Sequence, residues 1–139
     1  MKLINDKITV KTNPKELNDI TQTTIKHVSN ANIKEGLCSL YIQHTSASLV
    51  IQENADPAVL RDIESFFKRI VPEESSFYEH DTEGPDDMPA HIRSLLTNTS
   101  LSIPIENSKL VLGTWQAIYL YEHRGHAYER SIHLSIIGD

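Results

Sequence analysis

Trp115-Gln116-Ala117-Ile118-Tyr119-Leu120-Tyr121-Glu122-His123-Arg124 is the stretch on which the fold turns. Trp115, Ala117, Tyr119 and Tyr121 alternate with Ile118 and Leu120, so both faces of an extended strand are apolar. A strand of that kind is covered on both sides, in a core or at a subunit interface. Glu122-His123-Arg124 then ends it, which places polar chemistry at the strand's tip.

The neighbouring segments repeat the two-residue period. Downstream, Arg130, Ile132, Leu134 and Ile136 alternate in a final strand. Upstream, Ser100 to Ile105 and Lys109 to Leu112 read as a hairpin around Glu106-Asn107-Ser108. Leu37 to Gln43 and Ala47 to Gln52 are two more strands, and Ile4, Ile8 and Val10 mark a first one. Helical signals fall between them. Asn13-Pro14 reads as an N-cap with proline at the first helical position, and Leu17, Ile20 and Val28 share a face up to Asn30–Asn32. Asp56-Pro57 starts a second helix with the stripe Val59, Leu60, Ile63, Phe66, Phe67 and Ile70, stopped by Pro72. A short helix is expected from Pro89 to Leu96. Residues 73–87 form an acidic, aperiodic loop, and loops of that length are usually functional or disordered. Helices interrupt the strands irregularly. The expected fold is therefore α+β: one compact domain over residues 1–139, with mixed or antiparallel sheets, two long helices and one short one.

Composition narrows the function. A chain of 139 residues with 39% hydrophobic content builds one core without staples. Cys38 is the only cysteine and sits in an apolar alternation, so it reads as buried filler rather than a nucleophile. The net charge of −6 argues against broad nucleic-acid binding. No apolar run approaches the roughly 20 residues that span a bilayer. The first residues lack a signal-peptide apolar segment, and the expected location is cytoplasmic. An acidic chain that takes a phosphorylated substrate needs placed arginines, helix N-termini or a metal ion.

Polar groups cluster where strands end. His44-Thr45-Ser46-Ala47-Ser48 lies between two strands, and Gln52-Glu53-Asn54-Ala55-Asp56 at a strand-to-helix junction. Tyr78, His80, Asp81, Glu83, Asp86, Asp87 and His91 fill the acidic loop and the start of the short helix. Imidazole and carboxylate are the usual ligands of zinc and related ions. No short-spacing signature such as H-E-x-x-H is present: His80 and His91 are eleven residues apart and His44 is remote. Taken singly, each histidine reads as an ordinary surface or core residue, and Asp56 reads first as a helix cap. Asp86 or Asp87 is expected to cap the short helix. Asp81 and Glu83 beside His80 suggest a ligand with supporting carboxylates, or an oriented general base. Ser46 and Ser48 lack a Gly-x-Ser-x-Gly elbow and are not read as nucleophiles. Gly113-Thr114-Trp115-Gln116 reads equally as a phosphate-binding turn or as a glycine-marked entry into a strand.

Taken together, these motifs resemble one family. His44-Thr45-Ser46-Ala47-Ser48 with Glu53-Asn54-Ala55-Asp56-Pro57, then His80-Asp81, Glu83-Gly84, Asp86-Asp87-Met88-Pro89 and His91, then Gly113-Thr114-Trp115-Gln116 with Glu122-His123-Arg124, resemble the motifs of the YjbQ family. Arg130 fits the basic residue expected near the end. The resemblance implies a compact α+β subunit, a homotrimer, and a site among these motifs. It also implies thiamine-phosphate synthase activity, described as secondary in that family, which joins an aminopyrimidine pyrophosphate to a thiazole phosphate and releases pyrophosphate. At 139 residues the chain is too short for the (β/α)₈ barrel of the principal thiamine-phosphate synthases. On this reading His44, His80 and His91 hold a divalent ion, zinc or magnesium. Arg124 and Arg130 neutralise phosphate charge. Asp81, Glu83 or Asp87 orients ligands or acts as base, with His44 also counted among the catalytic groups. Thr45, Ser46, Ser48, Asn54, Gln116 and Arg130 contact a small phosphorylated substrate. The alternatives are a metal-dependent hydrolase of a small phosphorylated molecule and a non-catalytic trimeric ligand-binding protein.

Overall fold

The computed structural model describes residues Met1–Asp139. Along the chain run β1 (Lys2–Lys11), β2 (Leu17–Asp19), α1 (Thr21–Ala31), β3 (Gly36–Ile42), β4 (Ala47–Glu53), α2 (Pro57–Ile70), a 3₁₀ turn (Ser75–Phe77), α3 (Asp87–Leu96), β5 (Ser100–Glu106), β6 (Lys109–Leu110), β7 (Gln116–Glu122) and β8 (Glu129–Gly138). The fold is α+β. Two antiparallel sheets form, one of five strands in the order β1-β8-β3-β5-β6 and one of three in the order β2-β7-β4.

The alternating residues decide which faces meet. Cys38, Leu40 and Ile42 of β3 and Ile132, Leu134 and Ile136 of β8 point from the larger sheet into one core. Leu49 of β4 and Ile118 and Leu120 of β7 enter it from the smaller sheet, and Val28 and Ala31 of α1 complete it. β7 is buried on both faces, as its pattern demands: Ala117, Ile118, Tyr119, Leu120 and Tyr121 are all buried. The outer face of β7 meets α2, where Phe67 packs edge-on against Tyr121 with ring centroids 6.0 Å apart. Arg93 of α3 lies over the Phe67 ring, and its guanidinium is held by Glu64, which also accepts from the Tyr121 hydroxyl at 2.8 Å.

Three sequence expectations change. The segment after Asn13-Pro14 is not a helix start. Asn18 bonds to Asn13, Glu16 and the Leu120 carbonyl, closing a turn, and Leu17–Asp19 pairs with β7 as a short strand. The first helix therefore begins at Thr21, whose N–H donates to Asp19 Oδ1 at 2.9 Å. Trp115 lies before β7 and is 62% exposed, because the strand begins at Gln116. Neither Asp86 nor Asp87 caps α3 through its side chain; Asp86 instead takes bonds from Arg124 and the Gly125 N–H. Asp56 does cap α2, accepting from the Ala58 N–H at 2.9 Å, with Pro57 in the first turn.

Candidate active site

The polar residues gather at one end of the smaller sheet. Antiparallel pairing of β4 with β7 sets Ala47 opposite Glu122, so the His44–Ser46 turn and the Glu122–Arg124 tip leave the sheet together. The long loop then brings His80 over the start of α3. Gly84, at φ +104°, makes the turn that a side-chain-bearing residue would resist. On α3, Asp87 and His91 are one turn apart and share a face.

Three ligand-type side chains converge. His80 Nε2 stands 2.8 Å from Asp87 Oδ2, and His91 Nε2 stands 3.4 Å from the same oxygen. The ligand atoms of His80, Asp87 and His91 all lie within 4.8 Å of one another. The next layer of contacts orients them. His91 Nδ1 donates to the Thr45 carbonyl at 3.0 Å, which leaves Nε2 with its lone pair free. Arg124 Nη1 stands 3.0 Å from Asp87 Oδ1, turning Oδ2 toward the histidines. Two imidazoles and one carboxylate, with His91 and Asp87 held from behind, are a donor set that fits a divalent cation.

The surrounding charge also suits a cation. Arg124 is spent on Asp86, Asp87 and the Glu83 carbonyl, and Arg130 on Glu122 and Ser46. Four carboxylates, Glu83, Asp86, Asp87 and Glu122, stand against these two guanidiniums. Burial works to raise the Asp86 carboxyl, and bonds from Arg124 and Gly125 outweigh it, holding it below the ordinary range. Burial also opposes ionisation of Asp87, and the bond to His80 leads the effects that keep its carboxyl low. Both aspartates are thus anionic at neutral pH.

Beside this cluster lies a cavity of about 350 Å³ lined by Gln43, His44, Thr45, Ser46, Glu83, Asp87, His91, Arg124 and Arg130, with no apolar residue. A second cavity of about 560 Å³ shares Gln43, His44, Thr45 and His91 with it and adds Tyr41, Ile42, Ala47 and Leu95. The two adjoin through the His44–Thr45 turn.

Not every nominated residue arrives. His44 is not in the converging set: its Nε2 accepts the Ser131 N–H at 2.8 Å, which occupies the lone pair a metal would need. Asp81 is exposed and outside the converging set, in which Asp87 is the carboxylate. Ser48 is buried and bonded to His123 Nε2 at 2.8 Å. Asn54 and Gln116 lie at the opposite end of β4 and β7, about 20 Å away at 3.3 Å per residue. Gln116 Oε1 there accepts the Gly113 N–H, making that segment a turn into the strand. Three residues that the sequence motifs name without a site role prove to be supports: Glu122, fully buried against Arg130; Asp86, which fixes Arg124; and His123, bonded to Ser48.

With the site described, comparison with known proteins places the chain. A sequence profile described as UPF0047 protein YjbQ-like matches residues 6–139. The chain belongs to the YjbQ family. It is 48% identical over 132 residues to the UPF0047 protein sll1880 of Synechocystis, covering 95% of this chain and 90% of that protein. It is 50% identical over 104 residues to YjbQ of Escherichia coli O157:H7, covering 75% of each. A crystal structure from Sulfolobus solfataricus P2, described as a YbjQ-like protein of unknown function, superposes with a TM-score of 0.90 at 30% identity, covering 99% of both chains. A YjbQ/UPF0047 protein from Clostridium acetobutylicum superposes at 0.85 with 34% identity, covering 95% of this chain and 99% of that one. No helix is long and apolar enough to cross a membrane.

Proposed function

We propose that this YjbQ-family chain is a transferase of the thiamine-phosphate synthase type, acting on a small phosphorylated substrate with a divalent ion, zinc or magnesium, held by His80, Asp87 and His91. The observation that carries the reading is the convergence of those three side chains beside an all-polar cavity that Asp87 and His91 line. With a cation held beside it the cavity would take an anionic group, and the adjoining one, with Tyr41 and Leu95, suits an organic ring. The motif resemblance to the YjbQ family supplies the reaction class.

In the proposed reaction the thiazole nitrogen forms a bond to the methylene carbon of the aminopyrimidine. The carbon–oxygen bond to pyrophosphate breaks, and the electron pair leaves with that oxygen. A bound divalent ion would supply charge neutralisation to the departing pyrophosphate. Arg124 holds Asp87 in place through Oδ1, and the Thr45 carbonyl fixes the His91 tautomer. Arg130, neutralised by Glu122, acts as an oriented donor rather than a free charge. The substrate is then positioned by neighbouring groups rather than by bulk positive potential.

Incubation with the two precursors tests this reading. Thiamine phosphate and pyrophosphate are expected, with loss of turnover on chelation and in Asp87→Asn. Release of orthophosphate from simple esters without coupled product would instead assign the site to metal-dependent hydrolysis. Ligand affinity without turnover of any kind would assign it to a binding protein.

The same resemblance implies a homotrimer, and the surface of α2 supports self-association. Despite its apolar stripe, no residue of α2 is fully buried; Phe66 and Ile70 are each 49% exposed, with Phe77 at 68% beyond them. Light scattering behind size-exclusion chromatography is expected to give three times the chain mass. A monomer at micromolar concentration would remove the trimer from the proposal.

A further inference from the structure

His44 has a tautomer fixed by chemistry rather than by choice. The Ser131 backbone N–H can only donate, and it points at His44 Nε2 from 2.8 Å. Nε2 is therefore the acceptor, and the proton of the neutral ring sits on Nδ1. Nδ1 has no partner in the chain, and His44 lines both the polar cavity and the one beside it. The contact joins the turn after β3 to a residue of β8, where Gln43 N–H also bonds to the Ser131 carbonyl. The ring is thus held against a two-point backbone clasp.

We infer that His44 is a neutral hydrogen-bond donor whose Nδ1–H is presented to an oxygen of a phosphate group in the polar cavity, and that it ligates no metal. Ligation through Nε2 would break the Ser131 bond. Ligation through Nδ1 would move the proton to Nε2, where it would face the Ser131 N–H. Neutrality is consistent with the surroundings: burial first, then the charge of Arg130, push the imidazole below its ordinary value, against the pull of Glu122. A neutral donor at the junction of the cavities binds a phosphate oxygen without competing for the cation. It also marks where the anionic part of a substrate ends and its organic body begins. This inference deepens the proposed function and rests on its reading of the polar cavity as a phosphate site.

Two measurements test it. Long-range proton–nitrogen NMR of the full chain, labelled at histidine nitrogens, reads the tautomer directly. His44 is expected to show a protonated Nδ1 and an unprotonated Nε2 from pH 6 to 8; a protonated Nε2 would overturn the inference. Calorimetry with inorganic phosphate, with and without zinc, then compares the wild type with His44→Gln and His44→Asn. Gln places its amide where Nε2 was, so its oxygen can keep the Ser131 bond while the Nδ1 donor is lost; Asn places its amide nitrogen near Nδ1. Phosphate affinity is expected to fall about tenfold or more in Gln and within about threefold of wild type in Asn, as for one hydrogen bond to a charged group. A Gln variant that binds phosphate like wild type would sink the idea. A wild-type protein that binds zinc but no phosphate would also overturn it, while leaving the cation site standing. Tautomer and phosphate dependence intact without zinc binding would support it and remove the metal instead.

Discussion

His91 Nδ1 donates to the carbonyl of Thr45 across 3.0 Å, joining two motifs that lie 46 residues apart in the chain. The bond does two things at once. It pins the N-terminal half of α3 to the turn after β3, and in the neutral ring it puts the lone pair on His91 Nε2, which faces Asp87.

The first prediction concerns that free nitrogen. Isothermal titration with zinc is expected to give one site per chain. His91→Ala and His80→Ala should each weaken it by more than about 100-fold, the upper range for loss of a merely supporting partner. Binding that is unchanged in both variants would place the ion elsewhere.

Arg124 provides a test of the support beneath the site. Its guanidinium is 12% exposed and engages Asp86 and Asp87, which are 11% and 3% exposed at their side chains. Arg124→Ala takes the guanidinium from both buried carboxylates, leaving Asp87 only its histidines and Asp86 the Gly125 N–H. Urea unfolding should show a loss of about 3 kcal/mol, the low end for breaking a buried pair. A change below about 0.5 kcal/mol would show that water replaces the guanidinium freely.

Acid sensitivity follows from His123. Burial, with the charges of Arg93 and Arg130, pushes its imidazole down to about 3. An unfolded histidine titrates near 6.5. Between those values the unfolded chain binds a proton that the folded chain does not. Stability therefore falls as pH is lowered from about 6.5 toward 3, by at most about 1.4 kcal/mol per pH unit for one proton. Asp86 and Asp87 act in a lower window. Their folded values are depressed, so their contribution is present above about 4 and is lost as pH falls through those folded values. His123→Gln is expected to flatten the slope between pH 4.5 and 6.5 in urea melts. An unchanged slope would assign it to other groups.

Cys38 offers a check on the core. It is fully buried and its thiol is pushed up to about 12 by burial. A thiol reagent at pH 8 should leave the native chain unmodified for hours and react within minutes in denaturant. Rapid modification of the native protein would mean that β3 opens readily.

Much of the architecture was legible in local pattern. Two-residue alternation in 36–42, 100–105, 117–121 and 130–136 marks strands because side chains there must take opposite faces. Asp56-Pro57 marks a helix start because one side-chain oxygen and one missing N–H solve the same capping problem. The start of α1 is not legible locally, because Leu17 serves a strand as well as it would a helix. The choice was made by β7, which is remote in sequence and pairs with Leu17–Asp19.

The site divides along the same line. By itself the sequence determined the chemistry available: histidines and carboxylates at strand ends and in one acidic loop, in motifs that place the chain in its family. Tertiary structure alone decided which of them meet. It chose Asp87 over Asp81, sent Asn54 and Gln116 to the far end of β4 and β7, and gave the Nε2 lone pair of His44 to Ser131. The reason is that side-chain direction and strand register are set by pairings between distant segments. Local periodicity fixes which residues share a face, while the partner that face meets is fixed only when the sheets close.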